Sequence, residues 1–205
     1  MKSKKLKKWT TLLTCATALT VMTACSQSSS QSTGTTSSTT SKTRAVTATT
    51  RKKTNKNNNS NYFTTKDSDT SYNESSATKI KLTGSSADVS GDGAGQSGTT
   101  VTISKAGTYV ISGKSDGVQI KVDAGDSDDV HIVLDGVTMT NTNAAINATK
   151  AGHVYLTLKD GTTNTLSDSS SNSDQDADAV IFSKGDLTIN GSATLNIDAK
   201  KNNGI

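Results

Sequence analysis

A short run of alternating carboxylates is the part of this sequence best suited to binding a cation. Asp174, Asp176 and Asp178 stand two residues apart, and Asp168 precedes them among serines. If the backbone curls, their oxygens can converge on one hard cation, and calcium takes six to eight oxygen ligands. The spacing resembles the start of an EF-hand loop, but alanine and glycine occupy its sixth and twelfth positions, which excludes that motif. We predict a calcium site here, with a solvated polar loop as the alternative.

Polar residues recur at fixed distances from three isoleucines, which end the similar elements NAAI, DAVI and NNGI. Asparagine or aspartate stands three residues before each isoleucine, and lysine stands three or four residues after the first two. A row of such side chains along one rim could bind sugar hydroxyls, although an asparagine ladder inside a turn and solvated lysines explain the same pattern. The predicted carbohydrate-binding residues of this rim are Asn143 and Asn202, together with Lys150 and Lys184, which fall near one edge and could make electrostatic contact with a polyuronate.

Arrangements for nucleophilic catalysis are missing from the sequence. His131 alternates with apolar residues and is expected to face solvent, and His153 stands at the entrance of a repeated unit. Neither histidine has a metal-ligand spacing, and no Ser-His-Asp or Cys-His pattern can be assembled. We therefore predict a protein without catalytic residues.

These side chains must be positioned by a repeated strand pattern. VHIVLDGVTMTN starts at Val130, VYLTLKDGTTNTL starts 24 residues later, and LTINGSATLNI starts at Leu187. The second step is longer because the polar insertion LSDSSSNSDQDA lies within it. A period in the twenties built from short β-branched runs indicates a stacked solenoid, and a β-sandwich would not require a fixed step. We predict an all-β parallel β-helix over residues 79–205, with inward side chains at Ile132, Leu134, Leu156, Leu158, Leu187 and Ile189.

The charge of the chain is divided between two regions of opposite sign. Residues 79–205 carry ten lysines and fifteen aspartates, whereas residues 1–78 are strongly basic. The part expected to fold is therefore acidic, which argues against a nucleic-acid surface and makes divalent cations plausible companions.

The N-terminal region has the order of a lipoprotein leader followed by a linker. MKSKKLKK is a basic segment, an apolar stretch follows it, and Met22-Thr23-Ala24-Cys25 resembles the lipobox of bacterial lipoproteins. We predict a signal peptide over residues 1–24 and lipidation of Cys25, with an ordinary secretory peptide as the alternative. Residues 25–78 are rich in Ser, Thr, Asn and Lys and are expected to form a disordered stalk.

Four strings in the C-terminal part resemble a known family. VTISKAGTYVISG, VDAGDSDDVHIVLDGVTMTN, LTLKDGTTNTLSD and DAVIFSKGDLTINGSATLNI are similar to bacterial surface lipoproteins with a carbohydrate-binding domain, whose β-helix resembles that of polysaccharide lyases. The resemblance implies a calcium-bearing, right-handed β-helix that binds cellulose or polygalacturonate-type polymers. In such lyases a lysine beside calcium can remove the proton next to a uronate carboxylate.

These observations predict a lipid-anchored, non-catalytic protein of the cell surface that binds extracellular polysaccharide through the rim residues and calcium. The domain has few aromatic residues, which favours acidic or heavily hydroxylated polymers over crystalline cellulose. A lyase-like enzyme acting on polyuronate and a surface adhesin or scaffold are the alternatives. The sequence stops within a repeat, so we also expect either a longer parent protein or a partner at the last coil.

Overall fold

The structure, a computed structural model, describes the backbone of residues 44–47 and the whole of residues 63–205. The predicted signal peptide, Cys25 and most of the predicted linker lie outside the described residues. Within the described part, no helix is long and apolar enough to cross a membrane.

The described residues form fourteen β-strands and one short 3-10 turn, Lys66–Ser68. Strands form because β-branched and aliphatic residues alternate with polar ones, so that one side of each segment can be buried. The strands are β1 Arg44–Thr47, β2 Thr78–Gly84, β3 Ser86–Ser90, β4 Ala94–Ser97, β5 Thr100–Ile103, β6 Gly107–Asp116, β7 Gln119–Asp123, β8 Asp129–Thr140, β9 Ile146–Lys150, β10 His153–Leu158, β11 Thr163–Ser167, β12 Ile181–Ser183, β13 Asp186–Gly191 and β14 Thr194–Asp198.

The strands wind into four parallel coils, which confirms the predicted all-β solenoid. The coils consist of β5 and β6, then β7 and β8, then β9 to β11, and finally β12 to β14. Strands β5, β7, β9 and β12 pair in parallel with one another and form one sheet. The remaining coil strands form a second sheet, which bends in the middle of β6 and β8 where the register shifts between Ser112 and Gly113.

The two sheets present three outer faces to solvent or to the rest of the chain. The back face is the outer surface of β5, β7, β9 and β12. The front face is the outer surface of β10, β13 and the first halves of β6 and β8. The side face is the outer surface of β11, β14 and the second halves of β6 and β8.

The repeats that the sequence reveals are in register in space. Val130, Val154 and Leu187 are direct partners across the front sheet. Ile120, Ile146 and Ile181 are partners across the back sheet, so the 35-residue step between the last two does not disturb the stacking. The insertion is accommodated between β11 and β12, outside the paired strands. The predicted inward residues belong to or contact one continuous core.

Antiparallel strands cover the start of the solenoid. Strand β2 pairs in parallel with β6 and belongs to the same winding, but β3 pairs antiparallel with β2 and β4 pairs antiparallel with β5. Because β3 and β4 run in the opposite direction, the parallel winding does not continue at this end. They satisfy backbone hydrogen bonds at the free edges of β2 and β5. At the other end, β1 pairs antiparallel with β14.

The described residues include 63–78, the last part of the predicted linker. Residues 63–77, named the strap, run across the front face. Asp67 of the strap receives a hydrogen bond from Thr188, 121 residues later in the chain. The composition of this segment favours disorder, but its polar side chains find partners on the sheet.

Candidate functional site

A row of outward side chains crosses the back face, one from each coil. Thr102, Lys121, Asn147 and Phe182 are successive register partners. Each lies between inward residues of its strand, such as Ile120 and Val122 beside Lys121, so the two-residue period of the strand sends it outward. Neighbouring strands lie about 4.8 Å apart, which makes the row continuous. Thr102, Lys121 and Phe182 are partly exposed, whereas Asn147 is buried.

The lysines of the predicted rim lie next to each other at one edge of the back face. Lys150 ends β9, and the backbone N–H of Lys184 donates to the Ala148 carbonyl at 3.0 Å, just beyond β12. Both side chains are exposed. The Lys150 ammonium lies 3.8 Å from the Asp126 carboxylate, which is a weak, solvent-screened pair. This edge therefore presents two adjacent cationic groups.

The asparagines of the predicted rim lie at the opposite edge of the back face. A bridge joins Ala179 to Asn203, and the Asn203 N–H donates to the Asp178 carbonyl at 3.0 Å, so the last two units stack here as the repeat predicts. The Asn143 side-chain oxygen is buried without a hydrogen-bond partner among the described residues. Asn143 precedes Lys150 by seven residues. Strand β9, Ile146–Lys150, lies between them, and its five residues span about 16 Å at about 3.3 Å per residue. The four predicted residues thus flank one face and do not share one pocket.

Phe182 is a binding candidate that the sequence analysis did not assign. It is partly exposed, whereas the other aromatic residues of the four coils, Tyr109 and Tyr155, are buried. Ile181 must point inward because it is the repeated isoleucine, so the strand period already placed its neighbour Phe182 outward. An outward aromatic ring beside Asn147 and Lys184 can stack against the apolar face of a sugar.

The predicted calcium ligands do not converge in this conformation. Asp174 accepts hydrogen bonds from the backbone N–H groups of Asp176 and Ala177, at 3.0 and 3.1 Å. The Asp178 carboxylate accepts a hydrogen bond from the Asn203 side-chain amide at 3.3 Å. Within residues 63–205, no group of three or more acidic, histidine or cysteine side chains is arranged to hold a metal. The donor set therefore does not fit one cation without rearrangement.

Asp168 has a different environment from the other three aspartates. It is fully buried at the end of β11. Its carboxylate accepts hydrogen bonds from the Asn172 side-chain amide at 3.2 Å and from the Lys200 backbone N–H at 2.6 Å. These contacts tie the insertion to the exit of the fourth coil. In this arrangement Asp168 fixes the loop that carries the other three carboxylates.

The two histidines belong to hydrogen-bonded chains on the front face. Thr157 donates to the Asn190 side-chain oxygen at 2.6 Å, so its single hydroxyl proton is used and the His131 Nε2–H, 2.7 Å away, must be the donor to Thr157. The same argument makes His153 a donor to Thr188, at 2.8 Å, because Thr188 donates to Asp67. His131 points outward as expected, but the strap partly covers it, and burial lowers its pKa.

The strap has its own ionic contacts with the front face. Lys66 pairs with Asp129, and this hydrogen bond raises the pKa of Lys66. Hydrogen bonds from Thr188 and from the Thr64 backbone and hydroxyl lower the pKa of Asp67 to about 2. The strap is therefore held by charge-assisted contacts and not by a helix or a strand.

The part of the chain that forms the four coils is similar to known proteins. A family model described as carbohydrate-binding domain-containing protein matches residues 97–205. The chain belongs to this carbohydrate-binding domain-containing family.

A carbohydrate-binding domain-containing protein of Acetivibrio thermocellus is 39% identical over 120 residues, which cover 56% of this chain and 42% of the relative. A solved structure, titled as the polysaccharide lyase-like protein from C. thermocellum in a gadolinium derivative, is similar with a TM-score of 0.60 and 36% identity. That match covers 63% of this chain and 55% of the solved chain. The chain thus spans about two fifths of the curated relative and about half of the solved one.

The part of the chain that matches the carbohydrate-binding family model has clear structural limits. It begins at residue 97, just before β5, and contains all four coils. The back-face row lies wholly inside it. The strap and strands β2 and β3 lie outside the matched residues.

Proposed function

We propose that this protein binds extracellular polysaccharide along its back face without cleaving it. The observation that carries the proposal is the in-register row that ends at Phe182, with lysines at one edge and asparagines at the other. A polymer that lies along the solenoid axis meets one outward side chain per coil, so weak contacts repeat along its length. Membership of a carbohydrate-binding family supports this proposal.

The back-face chemistry favours an acidic or heavily hydroxylated polymer. Lys150 and Lys184 can pair with carboxylates, while the partly exposed Thr102 can bond to hydroxyl groups. Retention of the chain in gels cast with polygalacturonate, soluble β-glucan or no polymer tests this directly. Polyuronate binding through the lysines should weaken as salt rises, because exposed charges are screened. Equal mobility in all gels at low salt contradicts the proposal.

We further propose that calcium binds the loop formed by residues 168–178. Three of its four aspartates are wholly or partly exposed, and carboxylate oxygens are the ligands that calcium prefers. Binding requires the loop to rearrange, because its carboxylates do not meet in the structure. Calcium titration of Asp174→Asn against wild type, followed by calorimetry, tests the proposal, and equal heats in both proteins contradict it.

We propose the cell surface as the place of action, with the membrane reached through a lipid on Cys25. The lipobox-like residues before this cysteine and the basic leader support the assignment. Labelling of cells with a radioactive fatty acid should mark the wild-type protein and leave Cys25→Ser unlabelled. A label that persists in Cys25→Ser contradicts lipidation at this position.

A lyase-like activity is the second candidate function, because the solved relative is titled polysaccharide lyase-like. Lys150 and Lys184 are the exposed amines on the back face that could remove a proton from a uronate. Lyase cleavage leaves an unsaturated product that absorbs ultraviolet light. Incubation with polygalacturonate and calcium should give no rise in absorbance if the protein only binds, and a rise that Lys184→Ala abolishes favours the enzyme.

A further inference from the structure

The strap lies on a surface of the front face that is built from polar and aromatic groups. Lys66 places its ammonium 4.8 Å from the centre of the Tyr155 ring, and this ring stacks on His153 with centroids 4.0 Å apart. Tyr72 contacts His131 edge-on, with centroids 6.1 Å apart, and packs against the outward residue Val133. Tyr155, Thr157 and Val133 point away from the core but are buried.

The hydrogen bonds of this surface end in donors that face the strap. Thr188 donates to the Asp67 carboxylate at 2.6 Å. The Asn190 side-chain amide donates to the backbone carbonyls of Asp67 and Asp69, both at 3.1 Å. A hydrogen bond from His153 orients the Thr188 hydroxyl, and a hydrogen bond from Thr157 orients the Asn190 amide. The surface therefore offers fixed donors to whatever covers it.

The rim of the same surface offers acceptors. Asp129 and Asp135 lie on β8, and Asp186 begins β13. Lys66 satisfies Asp129, and Lys159 satisfies Asp135 at 2.7 Å. An occupant must therefore combine acceptors at its centre, donors at its edges and an apolar patch for Tyr155. A neutral sugar with many hydroxyl groups has this combination, whereas carboxylates at the rim disfavour a polyanion.

The strap is attached more weakly than the sheet beneath it. Of residues 63–76, only Asp67 and Tyr72 are partly buried, and Phe63 is 80% exposed. The strands under the strap keep all their inter-strand hydrogen bonds if it leaves. Segments with few buried apolar contacts open before the core does.

We propose that the strap is an intramolecular cover over a second saccharide site on the front face, and that neutral, hydroxyl-rich glycan displaces it. The inference rests on the proposed polysaccharide-binding function, but it uses a different face of the solenoid. The strap now makes the contacts that the glycan would make: the Asp67 carboxylate accepts hydrogen bonds at the centre, and the Lys66 ammonium lies by Asp129 and the Tyr155 ring. Glycan affinity is then limited by the fraction of molecules in which the strap is open.

The test uses variants that loosen the strap and leave the sheet unchanged. Asp67→Ala with Tyr72→Ala removes its main anchors, and Thr70→Ala changes an exposed strap residue as the matched control. Cellohexaose is the neutral probe and hexagalacturonate is the acidic one, both measured by calorimetry. We expect about a tenfold gain in cellohexaose affinity for the double variant, which corresponds to a wild-type strap that is closed about 90% of the time. The control should bind as wild type does.

A second measurement needs no substitution. Glu74 is the sole glutamate of the sequence and lies in the strap, so one cut by glutamyl endopeptidase breaks the covalent link between the domain and residues 63–74, together with the chain that precedes them. Saturating cellohexaose should accelerate this cut in the wild-type chain, and the cut protein should bind cellohexaose as tightly as the double variant does.

Each other outcome has a distinct meaning. Faster cleavage of the double variant with unchanged glycan affinity overturns the cover proposal and leaves the back-face site standing. A gain limited to hexagalacturonate overturns the assigned sugar class. Reduced affinity in the double variant or the cut protein means that the strap is part of the site and not its cover. The absence of cellohexaose binding by wild type, double variant and cut protein overturns this inference, whereas the proposed function is decided separately by the gel assay with polymers.

Discussion

Asn164 gives a quantitative test of how successive coils are joined. Its side chain is fully buried at the corner between the front and side faces. Its oxygen accepts the Val137 N–H of the second coil at 2.9 Å. Its amide donates to the Thr162 hydroxyl at 3.1 Å and to the Thr194 carbonyl of the fourth coil at 3.4 Å. One side chain thus connects three coils.

The substitution Asn164→Ala should destabilise the solenoid by about 3 kcal/mol. Leaving the buried Val137 N–H unpaired costs about 1–3 kcal/mol, and the two longer hydrogen bonds contribute about 0.5–1.5 kcal/mol each at most. With a urea m-value of about 2 kcal/mol/M, the unfolding midpoint should fall by about 1.5 M. A change of this size is a large part of the stability of a small domain.

Urea unfolding followed by circular dichroism measures this change, and Asn196→Ala is the matched control. Asn196 lies on β14, is partly exposed and points away from the core. Its loss should alter the free energy of unfolding by about 0.5 kcal/mol or less. If both variants unfold at the same urea concentration, the buried amide does not join the coils and this reasoning is refuted.

Gly113 on β6 and the Asp67 carboxyl of the strap give two further predictions. Gly113 has a φ of +90°, and a Cβ on it would lie 2.5 Å from the Leu82 carbonyl oxygen, whereas Gly161 has a φ of +75° and open space around it. Gly161→Ala should cost about 1 kcal/mol from backbone strain alone, and Gly113→Ala clearly more, as measured by thermal unfolding; equal losses contradict the close approach. The carboxyl of Asp67 should titrate near pH 2 by NMR, and Thr188→Val should raise that midpoint. Because the folded pKa lies below the ordinary 3.8, the Asp67 contribution to strap docking is present above about pH 4 and is lost as the pH falls towards 2. A wild-type midpoint near 3.8 contradicts the assigned contacts.

The coil architecture could be predicted because its signal is local and repeated. Alternation within Ile132 to Leu134 fixes which side chains point inward, and the 24-residue step fixes which strands become neighbours. The insertion LSDSSSNSDQDA lengthens one repeat, but the period could still be recognised because this segment is polar and lacks the apolar pattern of the strands. The same reasoning separates Asn143 from Lys150, since residues before and after a short strand must lie at opposite edges of its sheet.

The strap could not be predicted from the sequence, because its contacts are polar and distant along the chain. Asp67 and Thr188 are ordinary hydrophilic residues in isolation, and only the folded sheet brings them together. The antiparallel pairing of β3 and β4 could not be predicted either, since a short alternating strand has the same sequence pattern in parallel and antiparallel pairs. The burial of Asp168 depends on the path of the insertion, which the composition of that loop does not specify.

The central claim about this protein is that polysaccharide binds to its back face. The decisive measurement is the calorimetric affinity of wild type, Phe182→Ala and Lys184→Ala for the polymer that the gel assay identifies, with Lys114→Ala on the side face as the matched control. We expect about a tenfold loss of affinity for Phe182→Ala, equivalent to about 1.4 kcal/mol, a smaller and salt-dependent loss for Lys184→Ala, and no change for Lys114→Ala. Wild-type affinity in Phe182→Ala and Lys184→Ala would contradict it.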